Sequence, residues 1–318
     1  MKHVLIISLF LHTFMVLPCY ATDNKLYQEP IQKIFQKPNP RRRTHAQPPV
    51  RICWHRRESY YARYKAKPIN FDPYTTSVII PCYHKHAPSL YSLLRLYEQQ
   101  TQLPDEVIIS LSEYQLVNKE VMAQLSSEQW AFPVTIILSE QKKYAGDNRN
   151  TACEHASGTI FICQDADDIP HPQRVEIIHH FFKHYPVDHL FHQWVEVLPG
   201  DEASFIQYDT PENISFTYHQ AFRELWWCGK FTNGNVALAR HVFDTVRWSS
   251  EPRGQDTLFN AEVYKHFKQG IAIQAILLGY RMYLSSACVS DDRYLDNIDS
   301  AKSKRVTGKM YPAQFIFE

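Results

Sequence analysis

Thr159-Ile160-Phe161-Ile162-Cys163-Gln164-Asp165-Ala166-Asp167-Asp168 is the stretch on which the reading of this chain turns. Its first half, 159–163, is a short apolar run that suits a buried strand. The acidic cluster then stands at that strand's carboxyl end, the side on which open α/β sheets bind ligands. Such a strand needs neighbours, and the upstream sequence supplies them. Val78-Ile79-Ile80, 106–111 and 134–138 read as three further strands. Helical patterns lie between and after them. Pro88 opens a helix with Leu90, Leu93, Leu94 and Tyr97 on one face, 117–125 and 148–156 continue the alternation, and Pro172 opens a helix with Val175, Ile178, Phe182 and Tyr185 on its apolar side. Strands alternating with helices predict an α/β domain built on a mainly parallel sheet.

With 318 residues, 44% of them hydrophobic, the chain can bury one sizeable core plus appendages. Its 34 Lys and Arg nearly balance its 33 Asp and Glu, so no overall field steers it to nucleic acid or an anionic membrane. The first residues read as a targeting segment: Lys2 and His3 precede the apolar run 4–17, and Cys19-Tyr20-Ala21 offers small residues for cleavage near Thr22. That run is shorter than the roughly 20 residues a membrane span needs, and His12 and Pro18 interrupt it. The expectation is a signal peptide over 1–21, no stable membrane span, and a site of action outside the cell or in a secretory-pathway lumen; a retained signal anchor is the alternative. Residues 22–75, rich in Pro, Gln, Arg and Tyr without an apolar period, read as a stem, leaving 76–318 as a single catalytic domain. Six cysteines follow the leader, an even set that an oxidising compartment would allow to pair, although Cys82 and Cys163 equally suit small buried thiols. Asn213-Ile214-Ser215 is a glycosylation sequon only if the chain enters a eukaryotic secretory lumen.

The chain has nine glycines, and none forms a Gly-x-Gly-x-x-Gly or Walker loop. A protein that binds a diphosphate without a glycine cradle must neutralise it differently. Closely spaced carboxylates holding a hard divalent cation do so, with phosphate oxygens completing the shell. Asp165 and Asp167 have that spacing. An Asp-x-Asp is usually a solvated turn; its place after a buried strand is what singles this one out. His180 and His184 have the helical spacing of a zinc pair, yet no acidic residue or third ligand accompanies them, and incidental histidines on a partly exposed helix are the simpler reading.

Several further blocks occur in a fixed order: Ser77-Val78-Ile79-Ile80-Pro81-Cys82-Tyr83, Gln99-Gln100-Thr101, Leu103-Pro104-Asp105-Glu106-Val107-Ile108, Ala145-Gly146-Asp147-Asn148-Arg149-Asn150-Thr151-Ala152 and Ala156-Ser157-Gly158, then the acidic stretch, then Thr232-Asn233-Gly234-Asn235-Val236-Ala237-Leu238 and Gly254-Gln255-Asp256-Thr257-Leu258-Phe259. In this order they resemble the family 2 glycosyltransferases, over most of residues 76 to 290. The resemblance implies a GT-A fold, a Rossmann-like mixed sheet flanked by helices. It also implies a hexosyl- or N-acetylhexosaminyl-type transferase that moves a sugar from a nucleotide-sugar donor to a hydroxyl of a carbohydrate, glycoprotein or glycolipid, with Mn²⁺ or Mg²⁺ as cofactor.

By position, Asp165 and Asp167 correspond to the pair that engages donor ribose and metal, while Asp168 supports the turn. Pro81 and Tyr83 would line the nucleotide pocket, Arg149 and Asn150 would lie near the base, Gly234 and Asn235 on the acceptor side, and Asp256 would take the acceptor's proton in an inverting transfer. Two departures stand out. Where the family carries an aspartate after its second strand, this chain has Ser110-Leu111-Ser112-Glu113, with Glu113 as the substitute; Gln255 replaces the acidic neighbour of Asp256. Trp226 and Trp227 offer either a sugar-stacking platform or core packing. A nucleotidyltransferase, a retaining transferase or a binding-only pseudoenzyme of the same fold are the competing readings.

Overall fold

A computed structural model describes residues 73–198, 203–218, 233–281 and 308–318. They fall in one compact unit, Ala62–Glu318. The signal expectation, the stem expectation up to residue 72, and Trp226 and Trp227 lie outside the described residues.

In chain order the elements are β1 (Thr76–Tyr83), α1 (Leu90–Glu98), β2 (Glu106–Ser112), α2 (Lys119–Ser127), β3 (Gln129–Trp130), β4 (Val134–Ser139), α3 (Ala145–His155), β5 (Ile160–Cys163), β6 (Ile169–Pro170), α4 (Arg174–His184), β7 (His189–Glu196), β8 (Phe216–Tyr218), β9 (Val236–Ala239), α5 (Arg240–Thr245), α6 (Gln255–His266), β10 (Gly270–Tyr280) and β11 (Tyr311–Phe317). They form one mixed sheet in the order β3-β11-β4-β2-β1-β5-β9-β7-β10-β6, with β8 against β10. The block β11-β4-β2-β1-β5 is parallel throughout. Beyond it, β9 runs antiparallel to both β5 and β7.

At the centre lies β1, with Val78 opposite Val107 on one side and Ile162 on the other. Val78, Ile79 and Ile80 have no exposed surface, which is why this strand reads as an unbroken apolar run. The chain winds outward from β1 through β2 to β4 and then crosses to β5 on the other flank. This reversal opens a crevice beyond the carboxyl ends of β1 and β5, and the acidic cluster sits there.

Part of the recognised motif serves the opposite edge. The Asp105 carboxylate accepts from Thr76 N at 2.7 Å and Thr76 Oγ1 at 3.0 Å, capping the start of β1. Glu106 Oε1 accepts from Ser77 Oγ and Ser157 N, both at 2.6 Å, and from Gly158 N at 3.2 Å. A Cβ on Gly158 would fall 2.3 Å from Ser77 Oγ and 2.9 Å from Ser77 N, so only glycine lets the turn before β5 come this close.

The predicted strands and helices are all present, with shifted ends: the helix read over 148–156 begins at Ala145, and Pro172 precedes α4 by one further residue. Strand β11 lay outside that reading. It inserts between β3 and β4, far away in sequence, and nothing local marks its partner. The described cysteines, Cys82, Cys153 and Cys163, are buried free thiols, and burial raises the pKa of each.

Candidate active site

The turn after β5 is held from beneath. Gln164 donates through Nε2 to Asp165 O at 2.8 Å and Asp168 O at 3.1 Å, while its Oε1 accepts from Tyr97 Oη at 3.0 Å and from Arg174. Arg174 is fully buried. Its Nη2 donates to Cys163 O and Gly234 O, each at 2.6 Å, and its Nε to His192 Nε2 at 3.2 Å. The guanidinium thus fastens the end of β5 to the segment before β9. Neither Gln164 nor Arg174 stood out in the sequence, because a polar side chain's burial is set by distant elements rather than by any local pattern.

Above this support the carboxylates are crowded. Arg149 Nη2 pairs with the Asp165 carboxylate. Burial, and then the charge of Asp165, pushes Asp167 up to about 7. Burial also raises Asp168 well above the ordinary carboxylate range, with Asp167 and Asp165 adding to the effect. Asp168 Oδ1 accepts from Arg281 N at 2.9 Å, but its buried Oδ2 has no hydrogen-bond partner among the described residues. His86 Nδ1 stands 3.8 Å from Asp167 Oδ1. A Cβ on Gly234 would meet Asp165 Oδ2 at 2.9 Å and Asp168 Oδ2 at 3.4 Å, so the backbone of the predicted acceptor segment lies directly against the predicted metal carboxylates. The carboxylates are close enough to disfavour one another's charge, and Arg149 matches only Asp165; a divalent cation whose shell is completed from outside the chain fits these oxygen donors and would favour their ionised forms.

The end of the crevice expected to take the nucleotide is framed by β1 and β2. Pro81 is buried in β1 opposite Ser110. Tyr83, half-buried, packs edge-on against His86 at 4.4 Å and His84 at 5.4 Å. Ser110 Oγ donates to Asn148 Oδ1 at 2.9 Å, and Asn148 Nδ2 donates to Cys82 O and Ser112 Oγ, both at 3.1 Å. The serines that stand in the region of the family's aspartate are therefore built into the frame. Glu113 is the carboxylate that remains at this edge, with Oε2 3.6 Å from His84 Nδ1. Among the described residues it is the one non-glycine with positive φ, at 55°. A left-handed residue of this kind stores on the order of 1–2 kcal/mol and is characteristic of ligand-binding sites.

Asp256 occupies the first turn of α6, partly exposed, behind Gly254 at φ +72°, and its Oδ1 accepts from Thr257 N at 2.8 Å. The amino ends of α6 and α3 meet: Gln255 Oε1 and Ser249 O lie 2.4 and 2.3 Å from where a Gly146 Cβ would stand. Since α3 carries Arg149, this contact links the helix of Asp256 to the acidic turn. The Asn150 amide bonds the Trp248 backbone, donating to its O at 2.9 Å and accepting from its N at 3.0 Å. Asn235 Nδ2 donates to His192 O at 2.7 Å. Besides Asp168 Oδ2, the buried atoms His84 Nδ1, Arg149 Nε, Ser249 Oγ and Gln255 Oε1 lack hydrogen-bond partners among the described residues; Ser249 and Gln255 lie at the contact of α6 with α3. Others, such as Trp130 Nε1 and Gln269 Oε1, lie elsewhere in the fold, and those at this edge are donors and acceptors a polar ligand would complete.

The model of glycosyl transferase family 2 matches residues 77–247, a span that holds both β1 and the acidic turn. The chain belongs to that family. Its sheet is the GT-A fold of the family. Among solved structures, Staphylococcus aureus TarS 1-349 in complex with UDP-GlcNAc aligns with a TM-score of 0.50 at 13% identity, over 65% of this chain and 58% of that one. A mannosyltransferase from Pyrobaculum calidifontis, solved with GDP-Man and Mn²⁺, aligns with a TM-score of 0.45 at 17% identity, over 64% and 56% of the two chains. At such identities the likeness concerns the fold. This chain spans from 37% to 61% of the length of the TarS structures it matches. No curated protein matches it. Among the described residues no helix is long and apolar enough to cross a membrane.

Proposed function

We propose that this chain is an inverting, divalent-cation-dependent glycosyltransferase that moves a sugar from a nucleoside diphosphate sugar to a hydroxyl of a carbohydrate, glycoprotein or glycolipid. One observation carries the reading: Asp165, Asp167 and Asp168 crowd the carboxyl end of β5, with the Gly234 backbone against Asp165 and Asp168 and with Asp168 Oδ2 unpaired among the described residues. Family membership and the GT-A fold support it. Asp165 and Asp167 would hold Mn²⁺ or Mg²⁺. When bound there, the cation would offset the negative charge of the donor diphosphate. Among the described residues no group of three or more His, Cys, Asp and Glu side chains is placed to hold an ion alone, so binding would draw on the donor's phosphate oxygens and be weak without nucleotide.

The chain's own residues divide the work. Pro81, Tyr83 and Glu113 border the nucleoside, Arg149 fixes Asp165, and Gly234 with Asn235 borders the incoming acceptor. The Asp256 carboxylate takes the acceptor hydroxyl's proton. That oxygen bonds to the anomeric carbon as the carbon–oxygen bond to the diphosphate breaks, and the bonding pair leaves with the phosphate.

The test is nucleotide-sugar turnover by the full chain across UDP-, GDP-, ADP- and CDP-sugars, with Mn²⁺, with Mg²⁺ and with chelator. One donor class should be consumed, and only with metal. Asp256→Asn should lower turnover by roughly 100-fold or more while nucleotide affinity persists. Unchanged turnover in chelator would remove the metal from the reading. Near-normal transfer by Asp256→Asn would remove the base. Nucleotide binding with no turnover on any donor would favour the binding-only alternative.

A further inference from the structure

We propose that Trp248 is a positioning residue that couples the donor side of the site to its acceptor side; this rests on the transferase reading above. Core packing would ask only for the ring, and the ring is well used: Trp248 is 3% exposed and stacks on Phe259 of α6 at 3.8 Å between centroids and 10° between planes. Its polar atoms are equally committed, and each reaches a different part of the site. The main chain brackets the Asn150 amide of α3, one residue from the Arg149 that holds Asp165. The indole Nε1 donates at 3.1 Å to Oδ1 of Asn233, the neighbour of Gly234. Phe259, beneath the ring, lies one helical turn beyond Asp256.

One residue therefore reaches all three: its main chain holds the donor helix, and its indole touches the acceptor segment and the helix of the proposed base. Asn233 is itself 3% exposed, and among the described residues the indole is the donor to its Oδ1, which would otherwise be buried without one. Arg174 would still hold Gly234 O and Asn235 would still bond His192 O, but the segment would lose the bond that fixes Asn233 and loosen on that side, while α3, held by its own bonds to β1 and β2 through Asn148, would not.

Trp248→Phe keeps a ring over Phe259 and the main-chain bonds to Asn150, and removes the N–H. In the full chain, hydrogen exchange of amides 233–236 should quicken by about tenfold or more while that of 145–155 stays as in the wild type. With the donor that the wild type consumes, acceptor KM should rise by about tenfold and donor KM by less than about threefold. Asn233→Ala should reproduce the split, and the double variant should be no worse than either single one, because both remove the same bond. Unchanged exchange at 233–236, or an equal rise in both KM values, would overturn the proposal. If no donor is consumed, the transferase reading fails, and the exchange result still decides whether Trp248 fixes the acceptor segment.

Discussion

At the scale of single residues, Gly234 separates what the site needs from what the fold needs. A methyl group there would press on Asp165 Oδ2, the oxygen opposite the one that Arg149 holds, and would also crowd Asp168 Oδ2. The obstacle is the far end of two carboxylates rather than backbone, so the fold can accommodate Gly234→Ala by moving them. Their geometry towards a cation is then lost. The melting temperature should change by no more than a few degrees, while affinity for a nucleoside diphosphate in Mn²⁺, measured by calorimetry, should fall by about 10-fold or more, the usual scale for disturbing groups that orient metal ligands. An unchanged affinity would show that Gly234 does not set the carboxylates. The place of Asp165 and Asp167 at the end of β5 was legible because an Asp-x-Asp follows an apolar run, and Asp256 was singled out by the resemblance of its block, 254–259, to the family segment. Arg174, Gln164 and Trp248 were not. Each earns its role through partners that only the folded chain brings near, such as Gly234 O for Arg174 and Asn233 for Trp248.

Among the elements, the two edges of the parallel block divide the motif between stability and chemistry. The amino edge is closed by Asp105, Glu106 and Gly158, the carboxyl edge by Asn148, Arg149 and Asp165. Gly158→Ala tests that division. Its Cβ would stand 2.9 Å from the Ser77 backbone nitrogen, so relief requires β1 or the turn before β5 to shift, at about 1–3 kcal/mol for forced overpacking. Denaturant unfolding should show that loss, and Ser77→Ala on the same background should restore only part of it, since the backbone contact remains. Nucleotide affinity per folded molecule should be unaltered, because the change lies at the opposite edge. Strands β1, β2, β4 and β5 were readable because burial on both faces leaves long apolar runs. The second half of the sheet was harder. β7 pairs with β10 from about 80 residues away with two shifts in register, and β11 alternates between half-buried and exposed residues over much of its length. Such strands take their place from pairing rather than from composition.

For the molecule as a whole, buried histidines and buried aspartates pull the acid response of stability in opposite directions. His192 is buried, and burial, then the positive charge of Arg174, holds its pKa well below the ordinary imidazole value of about 6.5. It accepts the Arg174 Nε–H through Nε2 at 3.2 Å, and its Nδ1 lies 2.9 Å from Gln193 O, so the folded state needs the neutral ring. His171, also buried, is shifted the same way by burial. The unfolded chain takes up protons on these rings near pH 6.5 while the folded chain does not. Their contribution is therefore complete above about pH 6.5 and declines as the pH falls from there towards the folded-state values, by about 1.4 kcal/mol for each pH unit and each ring across that interval. Asp167 and Asp168 act in the opposite sense, since their raised values favour the folded state at lower pH. A difference measurement isolates the histidine: His192→Gln leaves an oxygen that can accept from Arg174 and removes the titration. Unfolding free energies of wild type and variant, measured from pH 7.5 down to pH 5, should converge as acid is added, with the variant losing less. Parallel curves over that range would show that His192 ionises alike in the folded and unfolded chain, and that Arg174 tolerates a charged neighbour.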